Sequence, residues 1–227
     1  MRYSDNLICQ SKILLGEMTS AVDLLTNPDT FFRNRTDHTS LLYPASIVLL
    51  AGLISLIGGL PLLFKLTSAF GGLTGNIATV IPIVSSVFGL VTVFIVWAIY
   101  AGLFHVISTV FDGEGTFRNT LTLVGYGFVP NIFASVVSAA VSFVVYSGVT
   151  LPDSQSQLMA TLQSIQTNPL FLVSTILGII FTLWSAFLWT FAVKHARNID
   201  LQQAALTVAG PTVISIGLSA SNLLKFL

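Results

Sequence analysis

The chain has 227 residues, of which 54% are hydrophobic and only 8% are charged. An ordinary soluble domain is about 25% charged, so this composition excludes a typical water-soluble protein, and it equally excludes a disordered chain. Nine basic residues balance nine acidic ones, which leaves no excess of positive charge for binding nucleic acid. The single cysteine, Cys9, excludes an internal disulfide framework.

A polar N-terminal region covers residues 1–40. Its apolar residues recur on one helical face, which is typical of an amphipathic helix: Leu7, Leu14, Met18, Val22 and Leu25. Such a helix lies along the inner leaflet of a membrane or packs on protein, and both interpretations remain open. Asn27 followed by Pro28 then predicts the start of a second short helix.

Five long apolar stretches follow, and each has at least the ~20 residues that a membrane-spanning helix needs. They run over 41–64, 77–107, 121–147, 170–193 and 205–224, and every charged side chain of the chain lies outside them. A charge at the membrane centre costs ~2.5–3.5 kcal/mol, which accounts for that exclusion. The sequence therefore predicts an all-α integral membrane protein, with a bundle of five transmembrane helices over 41–227 behind the N-terminal amphipathic helix.

The basic residues predict the orientation of the bundle, because cytoplasmic segments carry an excess of Lys and Arg. With the N-terminus inside, the inner segments hold seven of these residues and the outer segments hold Lys65 and Lys225. The seven are Arg2, Lys12, Arg33, Arg35, Arg118, Lys194 and Arg197. The N-terminus is therefore predicted to be cytoplasmic and the C-terminus outside. The segment 148–169 is predicted to be a solvated outer connector.

Three motifs in order resemble the Yip domain family, in its prokaryotic branch. They are Asn-Pro-Asp-Thr-Phe-Phe-Arg at 27–33, Phe-Asp-Gly-Glu-Gly-Thr-Phe at 111–117 and Gly-Tyr-Gly-Phe-Val-Pro at 125–130. The resemblance extends over residues 20–225 and implies a non-enzymatic protein of the cell membrane. Eukaryotic members act in vesicle trafficking and bind GTPases or each other, but their Asp-Leu-Tyr-Gly-Pro element has no clean match here.

The resemblance favours a membrane scaffold, or organising factor, that binds a partner through its N-terminal region and inner loops. The predicted interface residues are Phe31, Phe32, Arg33 and Arg118. The predicted helix-packing determinants are Gly125, Tyr126 and Pro130, since small residues let membrane helices approach closely. The expected surroundings are the lipid bilayer and a membrane-protein partner or further copies of the chain, with no nucleic acid.

Two alternatives stay open. The first is a small-solute channel or permease through the bundle, lined by Ser, Thr and Asn; the predicted spans hold no Asp, Glu, Lys or Arg, groups that many ion-coupled transporters use. The second is an accessory subunit that is stable only with its partner.

The three histidines are the most obvious candidates for metal ligands. His38, His105 and His195 all fall at predicted inner ends of spans. None of them forms a His-x-x-x-His or Glu-x-x-His pair, so polar anchoring at the interface is the favoured interpretation. The sequence also lacks Gly-x-Ser-x-Gly, His-Glu-x-x-His and a phosphate-binding glycine loop. It predicts no metal site, no cofactor and no catalytic residue.

Overall fold

A computed structural model describes residues 22–36, 40–69, 76–152 and 155–223 of the chain. Over these residues the secondary structure is helical, with no strand. A helical stretch at 22–26 comes first, and eight α-helices follow it in order, with a short 3₁₀ helix at Thr109–Phe111. They are α1 (Pro28–Arg33), α2 (Leu42–Ala69), α3 (Asn76–Ser108), α4 (Phe117–Tyr126), α5 (Val129–Ser147), α6 (Gln155–Gln166), α7 (Pro169–Arg197) and α8 (Leu201–Ser221).

Five of these helices are long and apolar enough to cross a membrane. Their spans are Leu42–Thr67, Val80–Phe111, Val129–Ser147, Pro169–Arg197 and Leu201–Ser221. Large apolar side chains cover their outer faces, among them Phe88 and Val213 with about 72% and 67% of their surface exposed. A surface of this kind is unfavourable in water and matches a lipid surrounding. The predicted five-helix membrane bundle is confirmed.

The third predicted span, 121–147, is wrong at its start. The structure divides it into α4 and α5, with a break at Gly127 and Phe128. The hydroxyl of Thr116 caps α4 by accepting a hydrogen bond from the Asn119 N–H, at 3.2 Å. Pro130 lies in the first turn of α5, at the start of the span, where a proline fits without a lost hydrogen bond.

The connector over 148–169 also differs from its prediction, because it contains the helix α6. Leu158 and Ile165 stand seven residues apart, which is two helical turns, and both side chains are buried. Two apolar residues on one face are too weak a pattern to stand out among Ser, Gln and Thr.

Most of the predicted N-terminal amphipathic helix lies outside the described residues, which begin at 22. Within the helical stretch at 22–26, the side chain of Leu24 is buried and those of Val22 and Leu25 are exposed.

The buried core lies toward one end of the bundle. In α7 every buried residue falls between Ser185 and Arg197, in the second half of the helix. We call this the polar end; it is formed by α1, the segment 109–116, the first turn of α4 and the turn 198–200. The opposite end, which carries α6, is the far end. A large aromatic cluster of Trp97, Phe104, Phe128 and Trp189 fills the core behind the polar end.

Candidate functional site

Asp29 ties the short helix α1 to the end of α7. Its Oδ1 atom accepts hydrogen bonds from Lys194 Nζ at 2.5 Å and from His195 Nε2 at 2.9 Å. Asn27 fixes the position of Asp29, since its side chain caps α1 by accepting from the Thr30 N–H. The hydrogen bond from Lys194, followed by that from His195, lowers the pKa of Asp29. The carboxylate is therefore held in its charged form at neutral pH.

Phe31 and Phe32 are buried, with 3% and 0% of their surface exposed. The Phe31 ring meets the ring of Tyr126 edge-on, with 5.3 Å between centroids, and Phe32 packs in the same cluster as Leu123 and Leu188. The two rings, predicted as interface residues, are covered by other helices of the same chain. Their apolar surface is used inside the chain, where it anchors α1 to α4 and α7.

Arg33 and Arg118 are exposed at the polar end. The Arg33 side chain is about 60% exposed, and its guanidinium reaches Thr30 Oγ1 at 3.2 Å and Asp29 Oδ2 at 3.9 Å. Arg118 stands in the first turn of α4. Their role as contacts to a partner stays a prediction.

Arg197 organises the segment between α3 and α4. Only 3% of this residue is exposed. Its guanidinium donates hydrogen bonds to Ser108 Oγ at 2.8 Å, to the Gly115 carbonyl at 2.6 Å and to the Gly113 carbonyl. Its own carbonyl accepts the Glu114 N–H at 2.8 Å. One buried cation thus fixes the path of the loop from both sides.

The loop around Arg197 requires glycine. Gly115 has a φ of 110°, in the region that other residues rarely adopt. A Cβ on Gly113 would lie only 2.8 Å from the Ser108 carbonyl oxygen. Sequence reasoning counted Arg197 as an orientation signal only. The sequence signal that could have indicated this role was the pair Gly113 and Gly115 in one inner loop, together with Arg197 in the next inner loop.

The break between α4 and α5 is held by two tryptophans. The indole N–H of Trp97 donates to the Leu121 carbonyl and that of Trp189 to the Val124 carbonyl, both at 3.0 Å. A Cβ on Gly125 would overlap Pro44, and a Cβ on Gly127 would overlap the Trp189 ring. These approaches are the kind that small residues allow between membrane helices.

The predicted packing residues lie around this break. Gly125 and Tyr126 form the last turn of α4, and Pro130 is buried in the first turn of α5. Their importance for packing stays a prediction.

The two histidines that the structure describes have different partners. His195 bonds Asp29, whereas His105 Nδ1 lies 3.0 Å from Thr120 Oγ1, and His38 is outside the described residues. Among the residues that the structure describes, no three His, Cys, Asp or Glu side chains are grouped as metal ligands.

Comparison with known proteins bears on the whole bundle. The family model of the Yip1 domain matches residues 22–221. The chain belongs to the Yip1 domain family. It is 31% identical over 130 residues to the uncharacterized protein MJ0794 of Methanocaldococcus jannaschii, an alignment covering 56% of this chain and 90% of that protein. This archaeal relative agrees with the prokaryotic branch of the family. No solved structure matches the chain.

Proposed function

We propose that this Yip1 family membrane protein acts without catalysis, as an organising factor that binds a partner through its polar end. The observation that carries the proposal is the attachment of α1 by Asp29 to Lys194 and His195. With Phe31 and Phe32 buried beneath it, α1 has a defined position on the bundle. A preformed surface lowers the entropic cost of binding a partner.

The chemistry of the polar end supports binding over catalysis. Asp29 is engaged by two cationic or polar donors, and Arg197 donates to backbone carbonyls and a serine. These groups hold helices and a loop in place. The exposed guanidinium groups of Arg33 and Arg118 are suited to carboxylates on the partner, because arginine binds carboxylates with paired hydrogen bonds.

We also infer that the protein lies in the cell membrane with the polar end in the cytoplasm. The support is the position of the basic residues: of the six Lys and Arg residues that the structure describes, all except Lys65 belong to segments on the side of the polar end. The partner is then a membrane protein, a second copy or a protein recruited from the cytoplasm.

Crosslinking in native membranes, followed by purification through an N-terminal tag, tests the proposal. We expect one dominant partner with the unaltered chain, and its loss in the double variant Arg33→Glu with Arg118→Glu. Gln163→Glu is the matched control, since Gln163 is exposed on α6 at the far end. Retention of the partner by the double variant, or absence of any dominant partner, would contradict the proposal; solute flux in liposomes would then favour the channel alternative.

A further inference from the structure

A groove opens between α2 and α3, in the half of the bundle toward the far end. It has a volume of about 350 Å³. Its lining is mostly leucine, glycine and valine with three serines, and on α2 it runs from Gly52 to Leu66. Both walls belong to helices that span the membrane, so the groove adjoins hydrocarbon and not water.

The two helices touch at one end of the groove and separate along it. A Cβ on Gly52 would come within 2.9 Å of Val93 Cγ2, whereas a Cβ on Gly59 or Gly89 would meet nothing within 4 Å. Each wall also contains a proline, Pro61 in α2 and Pro82 in α3. Prolines inside a helix interrupt its hydrogen bonds and favour a bend.

The hydroxyl groups of the lining are largely satisfied by the protein itself. Ser55 Oγ donates to Ser135 Oγ at 3.1 Å, and Ser86 Oγ donates to the Pro82 carbonyl at 2.7 Å. No charged side chain belongs to the lining. The groove therefore offers an occupant dispersion contacts in place of hydrogen bonds, and an apolar occupant fits it best.

The dimensions of the groove decide between a protein helix and a lipid chain. At 1.5 Å per residue, the α2 wall from Gly52 to Leu66 is about 21 Å long. A volume of about 350 Å³ spread over that length gives a mean cross-section of about 17 Å². A helix with its side chains is about 10 Å wide, or roughly 80 Å² in cross-section, so it could cover the mouth of the groove but could not lie within it. A single hydrocarbon chain is narrow enough to lie within it.

We propose that the α2–α3 groove binds one hydrocarbon chain of a membrane lipid, with the headgroup at the level of Leu66 at the far end. The chain would lie along Gly59 and Gly89, where no side chain of the protein enters. An unfilled groove would leave its leucines without partners on one side, so a bound chain stabilises the contact between α2 and α3. This site is separate from the polar end and does not depend on the proposed function.

Photo-crosslinking tests the proposal on the full-length chain. The protein is placed in liposomes that contain phosphatidylcholine with a diazirine in one acyl chain, and labelled residues are mapped by mass spectrometry. We expect labelling of the groove residues to exceed that of Val213 and Ile214, two exposed residues of α8, by several-fold. Labelling spread evenly over the lipid-facing residues would overturn the proposal without any variant being needed.

Variants then fill the groove. Gly59→Leu with Gly89→Leu should reduce groove labelling several-fold. The matched control is Gly178→Leu with Gly217→Leu, since these glycines also have open space at the Cβ position but stand on α7 and α8. Equal labelling of the two double variants would contradict the proposal. Efficient disulfide formation between copies carrying Ser85→Cys would also overturn it, because a second copy of the chain would then cover the groove.

Discussion

The indole of Trp189 closes the end of α4 by donating its N–H to the Val124 carbonyl at 3.0 Å. The same ring occupies the space beside Gly127, where any other residue would place a Cβ. One side chain of α7 thus supplies a hydrogen bond to one helix and fixes the position at which the next begins. The junction of α4 and α5 depends on a large residue and a small one together.

Gly127→Ala tests this relationship. The added methyl group would overlap the Trp189 ring, and overpacking of this kind costs about 1–3 kcal/mol. We expect a lower unfolding temperature, followed by circular dichroism in detergent. Gly178→Ala is the control, because its Cβ meets nothing within 4 Å and alanine favours the helix by about 1 kcal/mol. Equal unfolding temperatures would show that the approach of Gly127 to Trp189 is unimportant.

Asp29→Asn should loosen α1. The amide keeps the shape of the side chain but loses the charge that binds Lys194 and His195. The three groups are partly exposed, so the loss is about 1 kcal/mol, or roughly five-fold in the opening equilibrium. Hydrogen exchange of the α1 amides measures it. Asp23→Asn, an exposed carboxylate in the preceding helical stretch, should leave exchange unchanged. A similar effect of the two variants would contradict the assigned role of Asp29.

Attachment of α1 should also depend on pH. Hydrogen bonding from Lys194 and His195 lowers the pKa of Asp29, so the folded state binds this proton less tightly than the unfolded state. The stabilisation is complete above the ordinary carboxyl value of about 3.9 and disappears as the pH falls through the lowered value. Exchange of α1 amides, corrected for the intrinsic rate, should therefore rise below about pH 4. Asp29→Asn should remove this rise in exchange at low pH. If the rise persists in the variant, another titrating group causes it.

Arg197→Met should disrupt the segment 109–116. The change leaves the Gly113 and Gly115 carbonyls without the guanidinium, and charged hydrogen bonds contribute about 1.5–3 kcal/mol each. We expect rapid proteolysis within the loop and a marked loss of thermal stability. Arg197→Lys should recover little, because an ammonium cannot reproduce the planar fork. Arg118→Met, at an exposed position, is expected to stay within about 0.5 kcal/mol of the parent.

Single cysteines test the orientation, in a background with Cys9→Ser. In intact cells, a thiol reagent that cannot cross the membrane should label Gln163→Cys, on α6 at the far end, and spare Arg118→Cys at the polar end. Both residues are exposed in the structure. The opposite pattern would place the polar end outside and would contradict the orientation inferred from Lys and Arg.

The long spans could be predicted from the sequence because hydrophobicity over ~20 residues is a strong local signal. The division at Gly127 could not, since Gly-Tyr-Gly is compatible with a continuous helix. What ends α4 there is Trp189, which is 62 positions away in the chain. The same limitation applies to α6, where two buried residues in a polar segment give little local signal.

In the candidate site, too, local features could be predicted from the sequence and tertiary contacts could not. Asn27 and Pro28 have their predicted places at a helix start because capping is a local property. Phe31 and Phe32 look like interface residues next to basic side chains, and only the tertiary contact with α4 and α7 reveals that they are buried. Whether an aromatic residue in an amphiphilic segment is buried depends on which helix packs against it. One sequence alone does not predict that tertiary contact.

The two indole bonds to α4 have a spectroscopic consequence. Trp97 and Trp189 are two of only three tryptophans in the chain, and each donates to a backbone carbonyl within four residues of the other acceptor. Two of the three tryptophans that contribute to the intrinsic fluorescence therefore contact α4 near its junction with α5. Trp184→Phe would leave emission from these two indoles alone, so any movement of the junction could be followed without an added dye.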